Sequence, residues 1–88
     1  MRRVLVVDDQ KEVRAMVAIV LRVNRFDVVE AESGAAGLKA FSEGAFDAAI
    51  VDIFLADTSG VDVMVAIRER VPGFPIVAEQ QMMTGLLP

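Results

Sequence analysis

Residues 4–10 read VLVVDDQ: four apolar strand formers in a row, then two carboxylates, Asp8 and Asp9, then Gln10. An apolar run of this length without alternation is the pattern of a strand buried on both faces. The acids follow at once, so they lie at the mouth of the core that the strand enters. What comes next decides the fold. Residues 11–24 carry Val13, Met16, Val17, Val20 and Leu21 at the i, i+3, i+4, i+7, i+8 spacing of a helix face, so a strand over 3–7 feeds a helix.

The same unit then recurs. FDVVEA (26–31) reads as a second strand, and Ser33 as the N-cap of a helix over 34–43 that buries Leu38 and Phe41. Ala48 to Val51 form a third strand that ends at Asp52. After the loop FLADTSG, residues 60–71 form a helix with Met64, Ile67 and Val71 on one side, and Pro72 and Gly73 end it. Pro75 to Ala78 is a short fourth strand. Alternating strands and helices with Val-, Ile- and Ala-rich strands predict an α/β fold: a parallel sheet covered by helices on both faces, joined by right-handed crossovers.

Composition bounds the function. At 88 residues the chain is one domain at most, and 55% hydrophobic with 25% charged residues makes it globular rather than disordered. No apolar run reaches the length of a membrane span, and MRRVLVVDD is a poor signal peptide because its short apolar run ends in acids. The expectation is a soluble, cytoplasmic protein. Without cysteine there are no disulfides or thiolate metal sites, and without histidine this chain performs no imidazole catalysis. A net charge of −4 with no basic cluster argues against a nucleic-acid surface.

The acids can now be placed. In open α/β sheets, sites form outside the carboxyl ends of the strands, where the strand order reverses. Asp8 and Asp9 end the first strand and Asp52 ends the third, so the three project from one rim if those strands are neighbours. Two unit charges about 4 Å apart repel by roughly 4 kcal/mol at an effective dielectric near 20, so such a cluster needs a cation or raised pKa values. A hard ion such as Mg²⁺ is the natural partner. It would also neutralise the oxygens of an incoming phosphoryl group, leaving one carboxylate to act as nucleophile. The plainer reading of Asp8 and Asp9 is a turn and a helix N-cap, which suit Asp equally.

VLVVDDQKEVR, AIVDIFLADTSGVDVMVAIRE and PGFPIVA together resemble the receiver domain of bacterial two-component response regulators over nearly the whole chain. The combination of an acidic pair after the first strand, Asp52 at a distance of 44 residues from Asp8, and Gly60 eight beyond Asp52 carries the resemblance. It implies a flavodoxin-like sheet of order 2-1-3-4 and a signalling module without independent enzyme activity. It also implies Asp52 as phosphoacceptor, Asp9 as direct Mg²⁺ ligand, Asp8 as an acid acting largely through water, the backbone carbonyl of Phe54 as a further metal contact, and a sensor histidine kinase as partner. Gly60 serves backbone geometry near the third helix, while Asp57 and Asp62 are read as solvated or first-turn acids.

The same comparison shows departures. The family continues beyond the fourth strand with a helix, a fifth strand and a fifth helix, so residues 1–79 read as a C-terminally truncated receiver and 80–88 as a divergent apolar tail. Gln80 falls at or near the position of the family's Ser or Thr, Thr84 lies too far on, and neither Lys11 nor Lys39 stands where the family's lysine does. Ala56 replaces a frequent Pro. The open fourth strand, the extra Ile19 and Val23 on the first helix, and the tail residues Met82, Met83, Leu86 and Leu87 together suggest a homodimer, through strand pairing, the first helix or exchange of the tail. The second function in contention is therefore a degenerate receiver acting as an association module. A third, a phosphohydrolase with an Asp nucleophile, would need a D-x-D at Asp52, where Phe54 stands instead.

Overall fold

The computed structural model describes residues 1–79 of the chain; Gln80, Thr84 and the apolar tail lie outside them. Four strands, β1 (Arg3–Val7), β2 (Asp27–Ala31), β3 (Ala48–Val51) and β4 (Ile76–Ala78), alternate with three helices, α1 (Lys11–Val23), α2 (Gly34–Glu43) and α3 (Gly60–Arg70). The sheet is parallel throughout, in the order β2-β1-β3-β4. Both the element order and the strand order match the expectation.

Two cores explain the unbroken apolar run of β1. Leu5 and Val7 face a cluster with Val51, Val63, Ile67 and Phe74, against which α2 and α3 pack. Val4 and Val6 face the other way, onto Val17 and Ala18 of α1 with Val28 and Ile50. A strand with helices on both faces has no polar side, which is why its sequence does not alternate. At its end the sheet is still buried: Asp8 is only 1% exposed.

The helix faces differ in part from the expected stripes. On α1 the buried residues are Val17 and Ala18, with Leu21 packed beside them, whereas Met16 and Val20 are exposed together with Ile19 and Val23. When both sides of a helix are apolar, periodicity cannot say which one meets the sheet. On α3 the buried pair is Val63 and Ile67, and Val71, past the helix end, is 44% exposed. Ser33 caps α2 as expected, its hydroxyl accepting from the Ala36 N–H at 3.0 Å.

Alpha-helix α1 closes in an unusual way. The Phe26 N–H donates to the Leu21 carbonyl and the Arg25 N–H to the Arg22 carbonyl, both at 3.0 Å. This is the paired C-terminal bonding that ordinarily ends in a glycine at a left-handed position, yet Arg25 holds φ at 67°. Leu21 and Phe26, the residues joined by the longer bond, both pack against the α1-side core, which secures the turn.

Candidate functional site

Strand register builds the site. Val7 pairs with Val51 across β1 and β3, so Asp8 and Asp52, one residue on, stand at the same level on neighbouring strands. Backbone bonding continues past both strand ends: the Asp52 N–H donates to the Val7 carbonyl at 2.9 Å, and the Asp8 N–H to the Ala31 carbonyl at 3.1 Å. The carboxylates therefore inherit the rigidity of the sheet. Asp8 Oδ1 accepts from the Gln10 N–H at 2.8 Å, and its carbonyl accepts from Arg14 Nη1 at 2.8 Å, an anchor running from α1. Asp8 thus does shape the turn into α1, as the plainer reading had it, but it does so beside Asp52.

Asp52 is partly buried, and its Oδ1 accepts from the Phe54 N–H at 3.2 Å. Burial pushes its carboxyl above the ordinary value of 3.8; the Phe54 N–H pulls it back, and the charges of Asp8 and Asp9 push it up again. Asp9 is exposed and, with Phe54 and residues 53–59, lines an open cleft of about 400 Å³. Of the four residues assigned from the sequence, Asp8 and Asp52 converge closely, while Asp9 and Phe54 form the wall of the adjoining cleft.

One residue of the site had no place in the sequence reading. Glu79, immediately after β4, is only 2% exposed, and one of its oxygens lies within 4.8 Å of one oxygen each of Asp8 and Asp52. Its Oε1 is buried and has no hydrogen-bond partner among the described residues. Burial, above all, pushes its carboxyl up to about 9, helped by a hydrogen bond to Asp8 and by the charges of Asp8, Asp52 and Asp9. The signal was nonetheless present in the sequence. VLVV is followed by Asp, DVVEA by Glu32, AAIV by Asp and PIVA by Glu79, so each of the four strands runs into an acid, and those after β1, β3 and β4 meet.

The loop between β3 and α3 is fastened at several points. The Gly60 N–H donates to the Ile53 carbonyl at 2.8 Å, and Phe54 bridges to Ser59. A Cβ on Gly60 would collide with the carbonyl of Asp52, so only glycine permits this approach. Asp57 is more than a solvated acid: its Oδ1 and Oδ2 accept from the Gly34 and Ala35 N–H groups, each at 3.0 Å, capping α2 from across the molecule. Those two bonds hold its carboxyl below the ordinary value.

Oxygens from three carboxylates face one another here, and no ion pair among the described residues involves any of the three. An all-oxygen, strongly anionic donor set with an orphaned buried carboxylate oxygen fits a hard divalent cation such as Mg²⁺.

Fold and site define a doubly covered parallel α/β module with a carboxylate pocket at the carboxyl ends of β1, β3 and β4. The chain belongs to the response regulator receiver domain family, whose model matches residues 4–84. It is 34% identical over 74 residues to the probable transcriptional regulatory protein TcrX of Mycobacterium tuberculosis, covering 84% of this chain and 32% of that protein. With the transcriptional regulatory protein KdpE of the same species it shares 38% identity over 68 residues, 77% of this chain and 30% of that one. The chain thus spans about a third of the length of these curated relatives. Among solved structures, it is similar to the response regulator TrrA of Thermotoga maritima in complex with Mg²⁺-BeF, with TM-score 0.85, 33% identity, and coverage of 89% of this chain and 68% of that one. It is also similar to a chain in the complex of TrrA with the histidine kinase ThkA, with TM-score 0.81, 34% identity, and coverage of 86% and 66%.

Proposed function

We propose that this chain is the phosphoacceptor module of a cytoplasmic two-component pathway, with Asp52 taking a phosphoryl group from a sensor histidine kinase. The observation that carries this reading is the position of Asp52: level with Asp8 at the sheet rim, partly exposed, its Oδ1 oriented by the Phe54 N–H. An Asp52 carboxylate oxygen bonds to phosphorus, the phosphorus–nitrogen bond of the kinase's phosphohistidine breaks, and its electron pair leaves with the imidazole nitrogen. Asp8, Asp9, Asp52 and the Phe54 carbonyl would hold Mg²⁺, which supplies charge neutralisation for the phosphoryl oxygens when bound. Support comes from the family match and from TrrA, a similar receiver solved once with Mg²⁺-BeF and once with its kinase. The test is intact-mass measurement after incubation with acetyl phosphate and Mg²⁺. One added phosphoryl group in the wild type and none in Asp52→Asn is the expected result; no adduct in either chain sinks the reading.

Self-association is a second element of the proposal, favoured by the apolar side of α1, where Met16, Ile19, Val20 and Val23 are all more than half exposed. Light scattering of the purified chain tests it, and a monomer at every accessible concentration refutes it. An association module with a vestigial pocket is less well supported, because the acids of the pocket converge.

A further inference from the structure

Three neighbouring strands end in an acid at one level. Val7 pairs with Val51, and Val51 with Ala78, so the next residues, Asp8, Asp52 and Glu79, stand side by side along the rim. Val7 and Val51 both point into the core beneath α2 and α3, so the residues after them turn together to the opposite side. Adjacent strands lie about 4.8 Å apart, which leaves β1 and β4 two strand widths from each other across β3. Glutamate is one methylene longer than aspartate, and Glu79 closes that gap: its carboxylate reaches the oxygens of both aspartates.

Nothing among the described residues explains an acid at this position. Glu79 forms no ion pair among the described residues, its Oε1 meets no donor, and its nearest polar neighbours are other carboxylates. An apolar side chain would fill the same buried place without the cost of dehydrating a carboxyl. What a buried, unpartnered oxygen facing two aspartates lacks is a positive charge. We propose that Glu79 is a ligand of the divalent cation at this rim, a third carboxylate beside Asp8 and Asp52. By adding it, the chain favours Mn²⁺ over Mg²⁺. Mg²⁺ sheds water reluctantly and ordinarily takes one or two carboxylates, whereas Mn²⁺ also suits carboxylate oxygens and gives up its water more readily. The inference rests on the cation half of the reading above and is independent of phosphoryl transfer.

The experiment is isothermal titration calorimetry of MnCl₂ and MgCl₂ into the 88-residue chain as wild type, Glu79→Gln, Glu79→Ala and Asp52→Asn. Thermal melts of each metal-free variant establish that it is folded. Both Glu79 variants should bind Mn²⁺ about tenfold or more weaker than wild type and lose less affinity for Mg²⁺, so that the preference between the two ions narrows. Unchanged or tighter Mn²⁺ binding in the Glu79 variants overturns the proposal, as does a wild type that binds neither ion. Intact-mass measurement of phosphoryl uptake on the same samples separates the two readings. Uptake with Glu79 irrelevant to cation affinity defeats this inference alone; cation binding through Glu79 without uptake defeats only the phosphoacceptor reading.

Discussion

Replacing Glu79 with Gln should stabilise the metal-free chain by an amount that grows with pH. The Glu79 carboxyl is pushed from 4.5 up to about 9 by burial first, then by the Asp8 hydrogen bond and the neighbouring charges. Below pH 4.5 the folded and unfolded chains both carry this proton, and the residue costs nothing extra. As pH rises from there towards 9, the unfolded chain releases the proton and the folded chain keeps it, so folding stability falls by about 1.4 kcal/mol per pH unit. Near pH 7 the accumulated loss is on the order of 3 kcal/mol. Geometry accounts for part of the shift: a second charge within 4.8 Å of an aspartate oxygen costs about 3 kcal/mol at an effective dielectric near 20, and burial adds to it. Glutamine stays neutral throughout, keeps the shape, and can donate an amide N–H to Asp8. The chain has no Trp or Tyr, so the assay is urea unfolding followed by far-ultraviolet circular dichroism, in EDTA, across a pH series. Wild type and variant should coincide near pH 4.5 and diverge in favour of the variant above it. A difference that does not change with pH, or a wild type that is the more stable at neutral pH, would refute the argument.

Gly60→Ala drives a Cβ into the carbonyl of Asp52, backbone against backbone, and should cost at least about 3 kcal/mol in the same denaturation assay. Arg25→Gly should stabilise by about 0.5–1 kcal/mol, visible as a raised Tm, because the position holds φ at 67° and already carries the bonds of a glycine-type helix end. Asp57→Ala removes the cap on Gly34 and Ala35 and should lower the melting temperature at neutral pH. Since the Asp57 carboxyl is held below 3.8, its contribution is present above that value and is lost as pH falls through the lowered one; wild-type and Asp57→Ala melts should therefore converge in strong acid.

The fold was legible because every β-strand and α-helix announces itself locally. Apolar runs of four mark β1 and β3, shorter β-branched runs mark β2 and β4, Ser33 marks the start of α2, and Pro72 and Gly73 mark the end of α3; each boundary falls within a residue or two of its expected place. Which side of α1 meets the sheet was not legible, because Val13, Met16 and Val20 are as apolar as Val17 and Leu21. The decision rests with Ala18, which is small enough to let the helix approach the strands and is fully buried. Asp57 gave no signal either, since its partners are backbone N–H groups more than twenty residues earlier in the chain. Asp8 and Asp52 could be placed on one rim from strand order alone, whereas Glu79 required the register of β3 against β4.

That register joins stability and chemistry at the rim. Asp8 and Asp52 are each the first residue beyond a strand packed on both faces, so neither can retreat into solvent without breaking backbone bonds such as Asp52 N–H to Val7, and Glu79 is buried against them. A pocket held this way cannot relieve its charge by moving apart, and must take up a proton or a cation instead. The loop that leaves Asp52 is equally constrained, closed on itself by Gly60 and tied to the start of α2 by Asp57. A new charge on Asp52 would therefore act on a frame with few soft degrees of freedom. The bonds best placed to give way are the two from Asp57 to α2, because they lie at the surface and join separate elements rather than neighbours in one sheet.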